Sequence, residues 1–177
     1  MKLKEKNGGD VTVIAVGPAR AMETIRAALA MGADKGVHIC DPAFDNADAF
    51  VVANALAAVI KTLPHDIIFC GQRAIDDDAG QVGAMLAEAL GLPQLTLVTK
   101  LDYAGSSVKV IRPIEGAQLS IETTLPCVVT APKGLNEQRY ASLPAILKAT
   151  KKPFEVKDAA SVGVAPDAKA TVPQTIP

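Results

Sequence analysis

Residues 66–86 read DIIFCGQRAIDDDAGQVGAML, and this stretch decides the fold. Asp66 to Cys70 is a short apolar run with the composition of a buried strand. Gly71 opens a polar loop. From Val82 the apolar residues Val82, Met85 and Leu86 recur at helical spacing, continued by Ala89 and Leu90. The order is thus strand, short loop, helix. Between the two apolar runs stand three consecutive carboxylates, Asp76, Asp77 and Asp78. A loop in that place usually receives an anion, so three negative charges there need a reason.

The same grammar extends outward in both directions. Val11 to Val16 reads as a strand stopped by Gly17-Pro18. A helix follows from Ala19 with Met22, Ile25 and Leu29 on one face, closed by Gly32. Gly36 to Cys40 is the next strand, broken by Asp41-Pro42. A helix from about Ala47 carries Val52, Leu56, Val59 and Leu63 in register and ends at Pro64. Alternating strands and helices with short loops predict an α/β fold, an open parallel sheet with flanking helices. After Pro93 the pattern changes. Residues 95–101, 107–113, 118–124 and 126–131 read as successive strands, with turns at Ala104-Gly105-Ser106 and Glu115-Gly116-Ala117. This half predicts an antiparallel extension of the sheet, or a hairpin leaving it. Residues 1–150 form the predicted domain. Residues 151–177, rich in Pro, Lys, Asp and Ala, read as a C-terminal arm or tail.

Composition narrows the function. Of 177 residues, 49% are apolar but only 3% aromatic, so the core is built from Ala, Val, Leu and Ile, which suits a parallel sheet. The net charge of -1 and the scarcity of stacking residues argue against nucleic acid as a partner. No apolar run approaches a membrane span and no signal peptide is visible, so membrane insertion is not expected. Cys40, Cys70 and Cys127 stand far apart in strand-like contexts and read as buried reduced thiols, which points to the cytoplasm.

Four readings of the acidic loop compete. A metal site would need ligands that converge, and adjacent carboxylates on a regular backbone do not; no His is near in sequence. Hydrolysis would need a nucleophile or a second polarised group, and His38 and His65 lie on or before strands. A third reading gives Asp78 the cap of a helix beginning near Ala79. Residues 79–82 would then form its first turn, with free N–H groups for a phosphate and Gly80 admitting a ligand to the backbone. The fourth is a well-capped helix after a tight turn, with no ligand.

A wider set of motifs resembles the electron transfer flavoprotein beta subunit family. Ala74-Ile-Asp-Asp-Asp78, with Gln81 and Gly83, is similar to its nucleotide loop. Val13-Ile-Ala-Val-Gly-Pro18, Glu23-Thr-Ile-Arg26 and Ala28-Leu-Ala-Met-Gly-Ala-Asp34 are similar to its first block. Leu135-Asn-Glu137 and Arg139-Tyr-Ala-Ser-Leu-Pro144 look like its partner-recognition segment, followed by Lys148 to Pro153. The motifs occur in the family's order and cover nearly the whole chain.

The resemblance implies a Rossmann-like adenine-nucleotide-binding fold of the HUP type. It also implies an electron carrier, not an enzyme with bond-making catalysis of its own. The carrier pairs with an alpha subunit that holds most of an FAD site. The heterodimer takes electrons from flavin dehydrogenases, such as those acting on acyl-CoA in fatty acid oxidation, and passes them to the respiratory chain or another acceptor. The beta subunit holds AMP structurally; in electron-bifurcating relatives a second FAD takes that place. Carried over, the nucleotide contacts are Val16 with Gly71, Gln72, Arg73, Ala74, Ile75, Asp76, Asp77, Asp78, Ala79, Gly80, Gln81 and Val82. Leu143 matches the residue that anchors the redox partner, with Arg139, Tyr140 and Pro144 beside it and Lys148 as a further rim charge. No catalytic residue and no metal ligand are implied. The compartment implied is the cytoplasm, or the mitochondrial matrix in a eukaryote.

The chain departs from the family's spelling in places. Gly80-Gln81-Val82 stands where AMP-type members read Asn-Gln-Thr, and Asp77 where bifurcating members carry Gly. Pro113 and Pro132-Lys133-Gly134 also differ. One βα unit usual before Met1 and part of the C-terminal arm are expected to be absent. On that expectation Met1 is an internal methionine of a longer frame. Two other classes stay open: a stand-alone adenine-nucleotide module, and a metal-assisted hydrolase using Asp76 to Asp78.

Overall fold

A computed structural model of the chain describes residues 1–164. The described chain divides into two compact units, residues 1–58 with 138–164, and Val59–Glu137.

The first unit opens with α1 (Lys2–Asn7) and β1 (Thr12–Val16), followed by α2 (Ala21–Ala30) and β2 (Lys35–Ile39). A 3-10 turn at Pro42–Phe44 leads into α3 (Ala49–Ile60). The strands β1 and β2 pair in parallel, Thr12 opposite Lys35 through Val16 opposite Ile39. Parallel pairing buries a strand on both faces, and Gly36 to Ile39 are all buried. The small residue at Gly36 is required by packing: a Cβ there would lie 2.6 Å from Ile25 Cγ2 and 3.0 Å from Phe154 Cδ2. Helix α2 presses Ile25, Leu29 and Ala30 into a cluster with Ala33 and Ala149. Met22, predicted on the same face, is exposed. Helix α3 buries Val51, Ala53, Ala55, Ala57, Val59 and Ile60, so small residues pack on several sides. The predicted stripe is thereby shifted, with Val52 and Leu56 only half-buried.

The stretch from Lys151 is not tail throughout, which corrects the sequence reading. Phe154–Lys157 forms a strand, here β9, that pairs in parallel with β2, so the sheet order is β1-β2-β9. A one-turn helix, Ala159–Val162, follows it. Phe154 supplies an aromatic anchor that the polar composition around it obscured. The remaining predicted arm, residues 165–177, lies outside the described residues.

The second unit contains β3 (Ile67–Gly71), α4 (Val82–Leu90), β4 (Gln94–Leu95), β5 (Lys100–Tyr103), β6 (Ser107–Ile114), β7 (Ala117–Thr124) and β8 (Cys127–Ala131). The parallel strands run in the order β3-β8-β4, with β8 central and Cys127 to Thr130 fully buried. The strands β5, β6 and β7 form an antiparallel sheet of their own. Its turns use Gly105 and Gly116 at positive φ, as hairpins require. Leu95, Val98, Val108, Val110, Cys127 and Val129 make the core of this unit. The predicted parallel strands and antiparallel extension are therefore both present. They are divided into two three-stranded parallel ladders and one antiparallel sheet. The predicted strand over 95–101 is interrupted at Leu97, whose φ of 55° lies in the left-handed region.

Candidate functional site

The loop between β3 and α4 folds back on itself. Gly80 takes φ 61°, and a Cβ there would lie 3.4 Å from the Gln72 carbonyl oxygen. Asp77 Oδ1 accepts from the Ala79 N–H at 3.1 Å. Asp78, at φ 53°, pairs with Arg73: its Oδ1 lies 2.9 Å from Nε and its Oδ2 accepts from Nη1 at 3.1 Å. Short polar side chains tolerate that conformation because they bond locally. Two of the three carboxylates are thus occupied within the loop, and their charge is directed at the loop rather than at a common point.

Asp78 does not cap the helix, contrary to the sequence reading. Helix α4 begins at Val82 with Gln81 at its N-cap, no side chain caps it, and its first bond runs from Met85 N–H to Gln81. Residues 79–81 belong to the loop because Gly80 and the turn at Asp77 draw the backbone out of helical conformation. The unpaired first-turn donors are accordingly those of Val82, Gly83 and Ala84. The loop from Arg73 to Gln81 is exposed, Ile75 almost completely so at 98%. A Cβ at Gly71 would meet nothing within 4 Å, so the backbone at the end of β3 is open.

Gln72 is the exception within this loop. Its side-chain oxygen accepts from Thr130 Oγ1 at 2.5 Å and from the Leu97 N–H at 3.2 Å. Its backbone N–H donates to the Ala131 carbonyl at 3.0 Å. Thr130, 3% exposed on β8, also supports α4: a Cβ at Gly83 would fall 2.5 Å from its Cγ2. Thr130 therefore fixes both ends of the loop. It sits inside a run that reads as core strand, so sequence reasoning passed over it. The positive φ of Leu97 is sustained by this network, since that N–H points at Gln72. Val16, the remaining predicted nucleotide residue, is the last residue of β1 in the other unit, paired with Ile39.

Of the predicted partner-recognition segment, Arg139 to Pro144 lies in the first unit, whereas Leu135 to Glu137 ends the second. Helix α5 (Leu143–Ala149) starts at Ser142, whose Oγ accepts from the Ala145 N–H at 3.4 Å, with Pro144 in its first turn. Pro fits there because its missing N–H would have had no partner. Tyr140 is 93% and Leu143 70% exposed, and Leu147 and Ile146 are exposed beside them. The spacing 143, 146, 147 places three apolar side chains on one outward face. Arg139 does not project freely. Its two terminal nitrogens engage both oxygens of Glu5 on α1, at 2.5 and 2.9 Å. That hydrogen bond holds the Glu5 carboxyl below its usual range and pushes the Arg139 guanidinium up. A groove of about 590 Å³ adjoins the segment, lined among others by Met22, Arg26, Met31, Tyr140 and Ile146. Arg26 entered from sequence only as the end of a family motif, and Glu5, Ile146 and Leu147 were not singled out; for the last two, the helical spacing from Leu143 was the available signal.

The other titratable groups are accounted for by packing. His38 is 1% exposed on β2, with Nε2 2.9 Å from the Gly17 carbonyl oxygen. His65 Nδ1 lies 2.9 Å from the Leu63 carbonyl oxygen. The three cysteines are free; Cys127 is buried, while Cys40 and Cys70 are only half-buried. Burial pushes the thiols of Cys70 and Cys127 up, away from reactivity. Among the described residues no three His, Cys, Asp or Glu side chains come together as a metal site, and no helix is long and apolar enough to cross a membrane.

Comparison with known proteins places this geometry in a family. Residues 1–162 match the electron transfer flavoprotein domain. An electron transfer flavoprotein subunit beta of Bacillus subtilis is 44% identical over 88% of this chain and 61% of its own length. That of Bradyrhizobium diazoefficiens is 43% identical over 98% of this chain and 70% of its own. That of Sus scrofa is 44% identical over 93% of this chain and 66% of its own. The chain spans about three fifths of the length of the Bacillus subtilis relative. A match across nearly all described residues, at this identity, leaves one conclusion: the chain belongs to the electron transfer flavoprotein family, as a homologue of its beta subunits.

Proposed function

We propose that this chain is the beta subunit of an electron-carrying heterodimer. The alpha subunit holds most of an FAD; flavin dehydrogenases, such as those acting on acyl-CoA, supply the electrons. The flavin supplies the redox chemistry, and this chain contributes binding and recognition without bond-making of its own. The carrying observation is the similarity to beta subunits over 98% of the chain, joined to an exposed apolar segment at the residues that resemble the family's partner-recognition segment.

The acidic loop suits an adenine nucleotide such as AMP, held structurally. Two of its three carboxylates, Asp78 and Asp77, are turned to Arg73 and to the loop backbone, which lowers their repulsion of a phosphate. The unpaired donors of Val82, Gly83 and Ala84 and the open backbone at Gly71 are where a phosphate and its sugar would be received. Asp76, Asp77 and the exposed Ala74-Ile75 edge would face the sugar and base. Gln72 would act from behind, by holding the loop on Thr130. Leu143 would enter a pocket on the dehydrogenase, with Tyr140, Pro144 and Leu147 around it and Lys148 at the rim. Free thiols suit a reducing compartment, which we take to be the cytoplasm.

Co-expression with a cognate alpha subunit, followed by size exclusion and identification of released nucleotides, tests this reading. Co-elution with one FAD and one AMP is expected. Two FAD per heterodimer would assign the loop to a second flavin, as in bifurcating relatives. Nucleotide bound by a chain that never associates with a flavin subunit would overturn the carrier and leave a stand-alone nucleotide module.

A further inference from the structure

The docking segment poses a physical problem. Helix α5 has seven residues, far too few to persist in water unaided. Most of its apolar side chains face solvent, and Ala149 alone is buried. Ala149 and the preceding Ala141 pack against Ile25 and Leu29 of α2, and side-chain ties add to that small burial.

Two arginine ties flank the helix, one at each end, and just beyond it Lys152 donates to the Leu29 and Ala33 carbonyls. At the far end, Arg26 of α2 reaches the helix terminus. Its Nη1 donates to the Ala149 carbonyl at 3.1 Å and to the Thr150 carbonyl at 3.4 Å. The last carbonyls of a helix lack intrahelical partners and carry the negative end of its dipole, so a cation there is favoured. The guanidinium itself lies over the Phe154 ring on β9, its carbon 4.5 Å from the ring centre. At the near end, Glu5 of α1 grips Arg139 through two parallel bonds, just before the exposed Tyr140. Neither Arg26 nor Glu5 belongs to the exposed apolar face.

We propose that Arg26 and Glu5 are positioning residues for redox-partner recognition. They clamp the 139–150 segment at its two ends, so that Leu143 is presented in one orientation before the partner arrives. The proposal rests on the docking reading above. A preorganised face binds without first being ordered, so loss of a clamp weakens association while electron transfer within the bound complex is unchanged.

The test uses the heterodimer assembled with its alpha subunit, reduced by an acyl-CoA dehydrogenase with the heterodimer concentration varied. Arg26→Gln is expected to raise KM about tenfold and Glu5→Gln about threefold, each with kcat within about twofold of wild type. Arg26→Lys, which keeps a cation at the helix end, should recover most of the loss. Hydrogen exchange should quicken at the amides of residues 145–150 in Arg26→Gln while those of β6 stay as in wild type. Leu143→Glu serves as the reference. If Leu143→Glu raises KM and neither clamp variant does, the clamp is overturned. If Leu143→Glu itself has no effect, the docking reading fails instead. Should Arg26→Gln not fold, Glu5→Gln decides, because Glu5 is exposed and outside the core. An unchanged KM there, or an effect on kcat alone, overturns the proposal.

Discussion

Two segments of similar length carry this protein's proposed recognition, and they are built in opposite ways. In the acidic loop, residues 71–82, Arg73, Asp77 and Asp78 are turned on the loop itself, and the backbone at Gly71 stays open. Asp78 holds Arg73, Asp77 closes a turn on Ala79, and Gln72 is drawn inward to Thr130. In the docking segment, residues 139–150, polar groups also serve as ties, through Glu5 and Arg139, Arg26 and Ser142. What remains free there is apolar: Tyr140, Leu143, Ile146 and Leu147. The difference suits the two ligands. A nucleotide phosphate is satisfied by backbone N–H groups, whereas a protein pocket gains most from large apolar anchors.

The largest expected effect falls on the docking segment. Leu143→Glu should weaken association with the electron donor by at least about 2 kcal/mol, roughly thirtyfold in KM, as for a central anchor residue. Its melting temperature should stay near that of wild type, because Leu143 is 70% exposed. A variant with lowered stability and unchanged KM would remove the contrast between the two segments.

The next effect tests how the acidic loop is anchored. Gly83→Ala places a Cβ 2.5 Å from Thr130 Cγ2, so α4 must shift off β8. Overpacking of this kind costs about 1–3 kcal/mol and is read by urea denaturation. Nucleotide retention should fall in parallel, since α4 carries the proposed phosphate donors. Thr130→Val removes the hydroxyl that Gln72 accepts and should cost about 1–2 kcal/mol, as for a lost buried hydrogen bond.

Asp78→Asn is expected to be the mildest substitution. Both partners of its ion pair are more than 60% exposed, so the stability change should stay within about 0.5 kcal/mol. Nucleotide retention should survive it. Loss of the nucleotide from Asp78→Asn would mean that a carboxylate contacts the ligand after all.

A pH titration sharpens the other side of the comparison. The Glu5 carboxyl is held below its usual range, chiefly by its hydrogen bond to Arg139. A group whose folded value is depressed contributes fully above its ordinary range and loses that contribution as pH falls through the folded value. The Arg139 side-chain resonances should therefore hold steady from neutral pH down to the ordinary glutamate range, then shift below it. The Arg73 resonances make the comparison within the same sample.

Much of this architecture is legible in the residues themselves. The β-branched runs at 12–16 and 67–70, the apolar spacing after Val82 and the glycine turns at 105 and 116 each predict the element found. Local propensity and burial agree there, which makes such stretches readable. The helix start near Ala79 was misread because Asp78 is a good capping residue in isolation. Here its side chain is captured by Arg73 and its backbone is left-handed, so the helix waits for Val82. The strand at Phe154 was missed for a related reason. Four residues among Lys, Pro and Asp carry little pattern, and only the neighbouring β2 gives them a partner.

The sequence by itself determined the family, the two kinds of strand pairing, and the positions of the acidic loop and of Leu143. Those rest on local pattern and on motifs that survive in linear order. Only the tertiary structure decided what each polar group does. Arg26 and Ala149 are 123 positions apart, Glu5 and Arg139 134 apart, and Gln72 and Thr130 58 apart. Hydrogen bonds of that range have no period in the sequence. They form only when folding brings a donor and an acceptor to within about 3 Å of each other.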